Sequence, residues 1–219
     1  MQCLLSQHPE IYGSSTSPLL EYWYGAYTNY TLPEVRSQPA DLMQNAFTGL
    51  CREGAKGYYS ALTDRPVVVD KCRGWLECAE MLWAAFPEAK IVTMVRNINA
   101  ILESLDKVYK KYPGHPDARH LPKNREQRFQ FWAKSGSLPL GAALDRLKLR
   151  QEKGPDPRIM YVKYGDLTNH PVEVMRSVFT HLGVDPIDVD PNNITKLAIE
   201  DDMPFGIFGD HKVKSKIVK

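Results

Sequence analysis

The stretch KIVTMVRNINAILESLDKVYKKY, Lys90 to Tyr112, decides the reading of this chain. Ile91, Val92, Thr93, Met94 and Val95 form a short apolar run rich in β-branched residues, and it stops at Arg96. Such a run predicts a buried parallel strand that delivers its arginine to the carboxyl edge of a sheet, where open α/β folds bind ligands. A helical pattern follows. If it begins near Asn97, Ser104 lies about two turns in, on nearly the same face as the helix start. A guanidinium and a hydroxyl converging in this way suit a phosphate monoester: arginine offers a charged fork and serine a short donor. A strand-end arginine in a salt bridge and a solvated serine remain the plain alternative.

Outward from this segment the same unit recurs. Pro66 to Lys71 reads as a second buried strand, followed by a helix through Trp75, Cys78, Leu82, Trp83 and Phe86. Arg158 to Tyr164 reads as a third. A helix after it starts at His170-Pro171, where proline suits the first turn, and stops at Gly183 as a C-terminal cap. Strand–helix units in this order predict a three-layer α/β fold, a central parallel sheet flanked by helices, in a single domain over residues 1–219. Asp41 to Leu62 and Glu126 to Gln151 are mostly helical patterns. Residues 112–123, with four glycines and prolines, predict an irregular loop. Met1 to Gln7 reads as a helix with no cap before it, ended by the residues from His8 to Gly13. A parallel α/β domain ordinarily opens with a strand and a phosphate-holding turn, so the first strand is expected to be missing.

The 219 residues suffice for a real core, and 43% apolar with 25% charged residues is ordinary for a globular protein. A formal net charge of +2 does not call for a nucleic-acid partner. Basic residues do gather in mid-chain (Lys107, Lys110, Lys111, Arg125, Arg128) and in the tail. No apolar stretch approaches the ~20 residues of a membrane span, and no secretory leader opens the sequence. Cys3, Cys51, Cys72 and Cys78 show neither a CxxC pair nor zinc-ligand spacing, which fits reduced thiols in a cytoplasmic protein and argues against a metal site.

Several of these features together resemble the sulfotransferases that use 3′-phosphoadenosine 5′-phosphosulfate. VTMVRNINAILES, with Arg96 and Ser104, is similar to the family's 3′-phosphate-binding segment. YVKYGDLTNHPVEVMRSVFTHLGV, Tyr161 to Val184, looks like its strand, Tyr-x-Asp-Leu turn and following helix. VVVDKCRGW, Val67 to Trp75, stands where the family often ends a strand in a catalytic lysine, here Lys71. LLSQHPEIYGSSTSPLL resembles the helix and loop that come after the family's 5′-phosphosulfate loop.

The resemblance implies a P-loop-like fold and sulfuryl transfer to a hydroxyl or amine on a small molecule, carbohydrate or protein, without a metal. It implies Arg96 and Ser104 on the 3′-phosphate, Tyr164 beside the nucleotide, and Lys71 at the bridging oxygen. An ion pair of Lys71 with Asp70 or Glu77 is the alternative for that lysine. Gly209 and Lys212, in the basic tail from Pro204 to Lys219, correspond loosely to a nucleotide-wrapping loop.

Two features depart from the pattern. The Pro-Lys/Arg-Ser-Gly-type turn that holds the 5′-phosphosulfate is not in the sequence. The positions where relatives carry a base hold Arg73, or Ser14, Ser15 and Thr16, so no base is assigned. A non-catalytic nucleotide-binding or protein-interaction module is therefore the alternative function. A P-loop kinase is disfavoured, because no G-x-x-x-x-G-K-[ST] occurs.

Overall fold

The computed structural model describes residues 1–194 together with 204, 206 and 207. It is an α/β protein, and the chain divides into two compact units, Met1–Ile91 and Val92–Lys219.

The first unit contains α1 (Gln2–Leu5), β1 (Ile11–Thr16), α2 (Leu19–Thr28), α3 (Pro33–Arg36), α4 (Ala40–Ser60), β2 (Val67–Lys71) and α5 (Ala79–Ala85). β1 corrects the sequence reading, which made this stretch the end of a helix and a loop. It pairs in parallel with β2, Ile11 opposite Val67 and Gly13 opposite Val69. Gly13, Ser14 and Ser15 have little β-propensity, so the strand is formed by its partner rather than by its own preference. Gly13 passes close to the end of α1: a Cβ there would stand 2.7 Å from Ser6 Oγ, and that hydroxyl would have to shift. α4 turns Phe47, Cys51, Ala55 and Tyr59 inward, spaced four apart on one face, onto Leu19, Leu20 and Trp23 of α2. Trp23 meets Trp75 edge to face at 5.3 Å between ring centres. Tyr22, Tyr24 and Tyr27 of the same helix point out to solvent. α5 is shorter than the pattern from Trp75 onward suggests. Trp75 lies in the turn before it, where Gly74 presses so closely on Leu20 that a Cβ would stand 2.4 Å from its Cδ2.

The second unit holds β3, whose run Ile91–Val95 begins at the boundary, then α6 (Ile98–Lys111), α7 (Arg125–Ala133), α8 (Gly141–Lys153), β4 (Ile159–Lys163), α9 (Tyr164–Asn169) and α10 (Pro171–Leu182). β3 and β4 are hydrogen-bonded neighbours. α6 starts because Asn97 caps it, its side chain accepting the Ala100 N–H at 3.2 Å, and Lys110 and Lys111 suit its negative end. The expected helical region after Glu126 divides into α7 and α8. α10 begins with Pro171 and ends at Gly183 in the left-handed region, φ 82°. Its Met175, Val178 and Phe179 are fully buried.

A buried ion pair ties α6 to α7. Asp106 and Arg128 are 1% and 3% exposed, and Arg128 Nε donates to Asp106 Oδ1 at 3.0 Å. The guanidinium also reaches the Pro122 carbonyl at 2.9 Å and lies 4.0 Å over the Tyr109 ring. Lys110 reaches the other oxygen of Asp106 at 2.8 Å. Among the described residues no helix is long and apolar enough to cross a membrane.

Candidate functional site

In the second unit two of the expected residues stand at strand ends. Arg96 follows β3 directly and Tyr164 follows β4 directly, so neighbouring strands present the two side chains together. The Arg96 guanidinium carbon lies 4.3 Å from the centre of the Tyr164 ring, and both residues are exposed. A guanidinium stacks through its face and donates hydrogen bonds through its edge. Resting on tyrosine therefore holds Arg96 in place while its N–H groups stay available for an oxyanion.

Ser104 lies on the exposed side of α6. Seven residues separate it from the capping Asn97, just under two turns, so it rises about 10 Å above the helix start on nearly the same face. The adjacent Glu103 carboxylate, which would repel an anion, is paired with Arg125.

In the first unit Lys71 is the last residue of β2, with an exposed side chain. It does not pair with Asp70. Trp75 Nε1 donates to Asp70 Oδ1 at 2.6 Å, and the Tyr59 hydroxyl donates to Oδ2. Successive strand residues point to opposite faces, so an Asp70 held toward α4 sends Lys71 the other way. The Lys71 charge is felt at the Met1 amino group, whose pKa lies below its ordinary value chiefly through burial and in part through this lysine. Burial, followed by the hydrogen bond to Asp70, pushes the Tyr59 hydroxyl well above the usual phenol range.

The backbone of Lys71 is held from both sides. Its N–H donates to Ser14 Oγ at 2.9 Å, and its carbonyl accepts from the Ser17 N–H at 3.1 Å. The sequence marks Ser14 only as a position where a base is lacking; its contact depends on strand pairing 57 residues away, which no local pattern signals.

The first unit also carries an apolar groove of about 370 Å³ between α2 and α4, walled by Tyr22, Trp23, Leu50 and Tyr58. Cys51 lines it, with a thiol that burial pushes up to about 11. Among the described residues no group of three His, Cys, Asp or Glu side chains could hold a metal ion. Gly209 and Lys212 lie outside the described residues.

A model of the sulfotransferase family matches residues 1–188. Among solved structures, the chain resembles a sulfotransferase from Alicyclobacillus acidocaldarius at 18% identity and a TM-score of 0.50, over 91% of this chain and 80% of that one. It also resembles the sulfotransferase domain from the curacin biosynthetic pathway, at 16% identity and a TM-score of 0.52, over 84% and 68% of the two chains. At such identities the likeness concerns the fold. No curated protein sequence matches the chain.

Proposed function

The chain belongs to the sulfotransferase family, and from that premise we propose that it moves a sulfuryl group from 3′-phosphoadenosine 5′-phosphosulfate to a hydroxyl or amine acceptor. The acceptor oxygen or nitrogen attacks sulfur in line with the departing phosphate, the S–O bond to that phosphate breaks with its electron pair leaving on the phosphate, and the proton of the acceptor passes to solvent. By analogy with phosphoryl transfer, the protein positions the reactants and neutralises charge on the leaving oxygen.

The observation that carries this reading is the stacking of Arg96 on Tyr164 at the ends of adjacent strands. The edge of the guanidinium grips the 3′-phosphate and Ser104 donates a further hydrogen bond. Tyr164 borders the adenine. Lys71, a compact positive charge on an exposed strand end, stabilises the bridging oxygen as the bond breaks.

Calorimetry with adenosine 3′,5′-bisphosphate tests the binding half. Arg96→Ala should lose on the order of 2–5 kcal/mol of affinity, the cost of removing one partner of a charged, hydrogen-bonded contact. Unchanged affinity rejects the assignment. Lys71→Ala tests the chemical half: turnover should be lost while the bisphosphate still binds.

A further inference from the structure

We propose that Ser14 is a positioning residue for Lys71, its side-chain hydroxyl accepting the Lys71 N–H at a bulge in β1 and so helping to aim the lysine. This rests on the reading of Lys71 as the residue that serves the leaving oxygen.

The register of the β1–β2 pair is regular up to Gly13 opposite Val69 and then slips. Thr16 faces Lys71, so Ser14 and Ser15 together stand opposite Asp70 alone. One extra residue in a strand bends it and re-aims the residues beyond the bend, and such bulges are rare in parallel pairs. The extra residue also disrupts the ladder locally, so side-chain hydrogen bonds can help to hold the partner strand there.

At the bulge the Lys71 N–H donates to Ser14 Oγ at 2.9 Å. Ser14 is 5% exposed and its hydroxyl donates a hydrogen bond to the Ser15 carbonyl at 2.8 Å, so the oxygen keeps a lone pair turned toward β2. The Ser17 N–H holds the Lys71 carbonyl at 3.1 Å, and the Asp70 side chain is pinned by Trp75 and Tyr59. The peptide groups around the Lys71 Cα are thereby set, and with them the direction in which its side chain leaves the sheet. A lysine is a point charge on a flexible stem, so its aim depends on where that stem begins. Alanine at position 14 removes the side-chain acceptor of the Lys71 N–H and loosens the strand end at the bulge.

The test uses the full chain, with turnover of 3′-phosphoadenosine 5′-phosphosulfate measured against a panel of phenols, alcohols and amines. A misplacement of about 1 Å costs on the order of 10²-fold in rate. Ser14→Ala should therefore lower kcat by about 10- to 100-fold, with the donor KM nearly unchanged because the 3′-phosphate contacts are untouched. The Lys71 amide should also exchange with deuterium faster than in the parent chain. Ser14→Cys keeps the side-chain shape, with a larger atom in place of the oxygen, but offers a poor acceptor; it should behave like the alanine variant, and it carries the test if Ser14→Ala does not fold. Folded Ser14 variants with parental kcat, beside a Lys71→Ala variant that has lost turnover, overturn the positioning role and leave the function of Lys71 standing. A Lys71→Ala variant that retains turnover removes the role of the lysine itself, and the role of Ser14 falls with it.

Discussion

The guanidinium of Arg96 rests on the face of the Tyr164 ring, 4.3 Å from its centre, although the two residues are 68 positions apart in the chain. Each is the first residue past its strand, and the strands are neighbours. A cation over an aromatic face at an exposed site contributes about 0.5–1 kcal/mol. Tyr164→Ala should therefore weaken binding of adenosine 3′,5′-bisphosphate severalfold through loss of Arg96 order, beyond any direct contact. Tyr164→Phe keeps the ring face and should bind within about twofold of the parent. Equal losses in the two variants would mean that the hydroxyl, not the ring under Arg96, is what matters.

Asp106 sits two residues beyond Ser104 and is almost fully buried against Arg128. Removing one member of such a pair strands the other charge, at a cost of about 3–5 kcal/mol. Asp106→Ala should lower the thermal midpoint by roughly 10 °C for a chain of this size. A calorimetric scan checks it, and a shift near zero would contradict the buried pairing. Replacing both partners by apolar residues of similar volume should cost much less than either single change.

Acid should act through the same carboxyl. Burial alone would raise the Asp106 pKa, but the hydrogen bonds and charges of Lys110 and Arg128 outweigh it and hold it below the ordinary value. Asp156, hydrogen-bonded to Arg158, is held at about 2. A carboxyl depressed in the folded state adds stability that is complete above its unfolded pKa and is lost as pH falls through the folded value. Denaturant midpoints should thus stay level from neutrality to about pH 5 and fall below about pH 4. In Asp156→Asn the decline between pH 4 and 2 should be shallower; an identical profile would show that Asp156 titrates normally.

Tyr59 donates its hydroxyl to Asp70 from within the core of the first unit. Tyr59→Phe leaves Asp70 with the Trp75 indole as its remaining side-chain donor and should cost about 1–3 kcal/mol, the range for a buried acceptor losing a partner. Urea titration measures it. The slope of the transition should not change, since little surface is added to or removed from the unfolding reaction.

Local sequence carried most of the fold and the strand-end positions of Arg96 and Tyr164. β2 and β3 announce themselves as β-branched runs, β4 as an apolar stretch with some alternation, and α6 and α10 carry their own caps. Arg96 and Tyr164 could be placed because the last residue of a parallel strand has a known destination. β1 could not be read, because Gly13, Ser14 and Ser15 favour turns and become a strand only once β2 is alongside. The contact of Ser14 with the Lys71 backbone was hidden for the same reason. Asp70 was equally opaque: beside Lys71 in sequence it looks like an ion-pair partner, whereas alternation along the strand sends it to Tyr59 and Trp75 instead.

Two glycines of the chain should respond in opposite directions to the same substitution. Gly141 opens α8 against the chain that leaves α7; a Cβ there would lie 1.7 Å from the Lys134 carbonyl oxygen and 2.7 Å from its carbon. That neighbour is backbone and cannot swing aside, so Gly141→Ala must displace the connection between the helices. Overpacking of this kind costs about 1–3 kcal/mol, which outweighs the gain of up to about 1 kcal/mol from alanine's better helix propensity. Gly57 lies inside α4, exposed, with open space where its Cβ would go. There the propensity term acts alone, and Gly57→Ala should raise stability by up to about 1 kcal/mol. Thermal or urea unfolding of the two variants side by side gives both signs in one experiment. A Gly141→Ala variant as stable as the parent would show that α8 does not begin hard against Lys134.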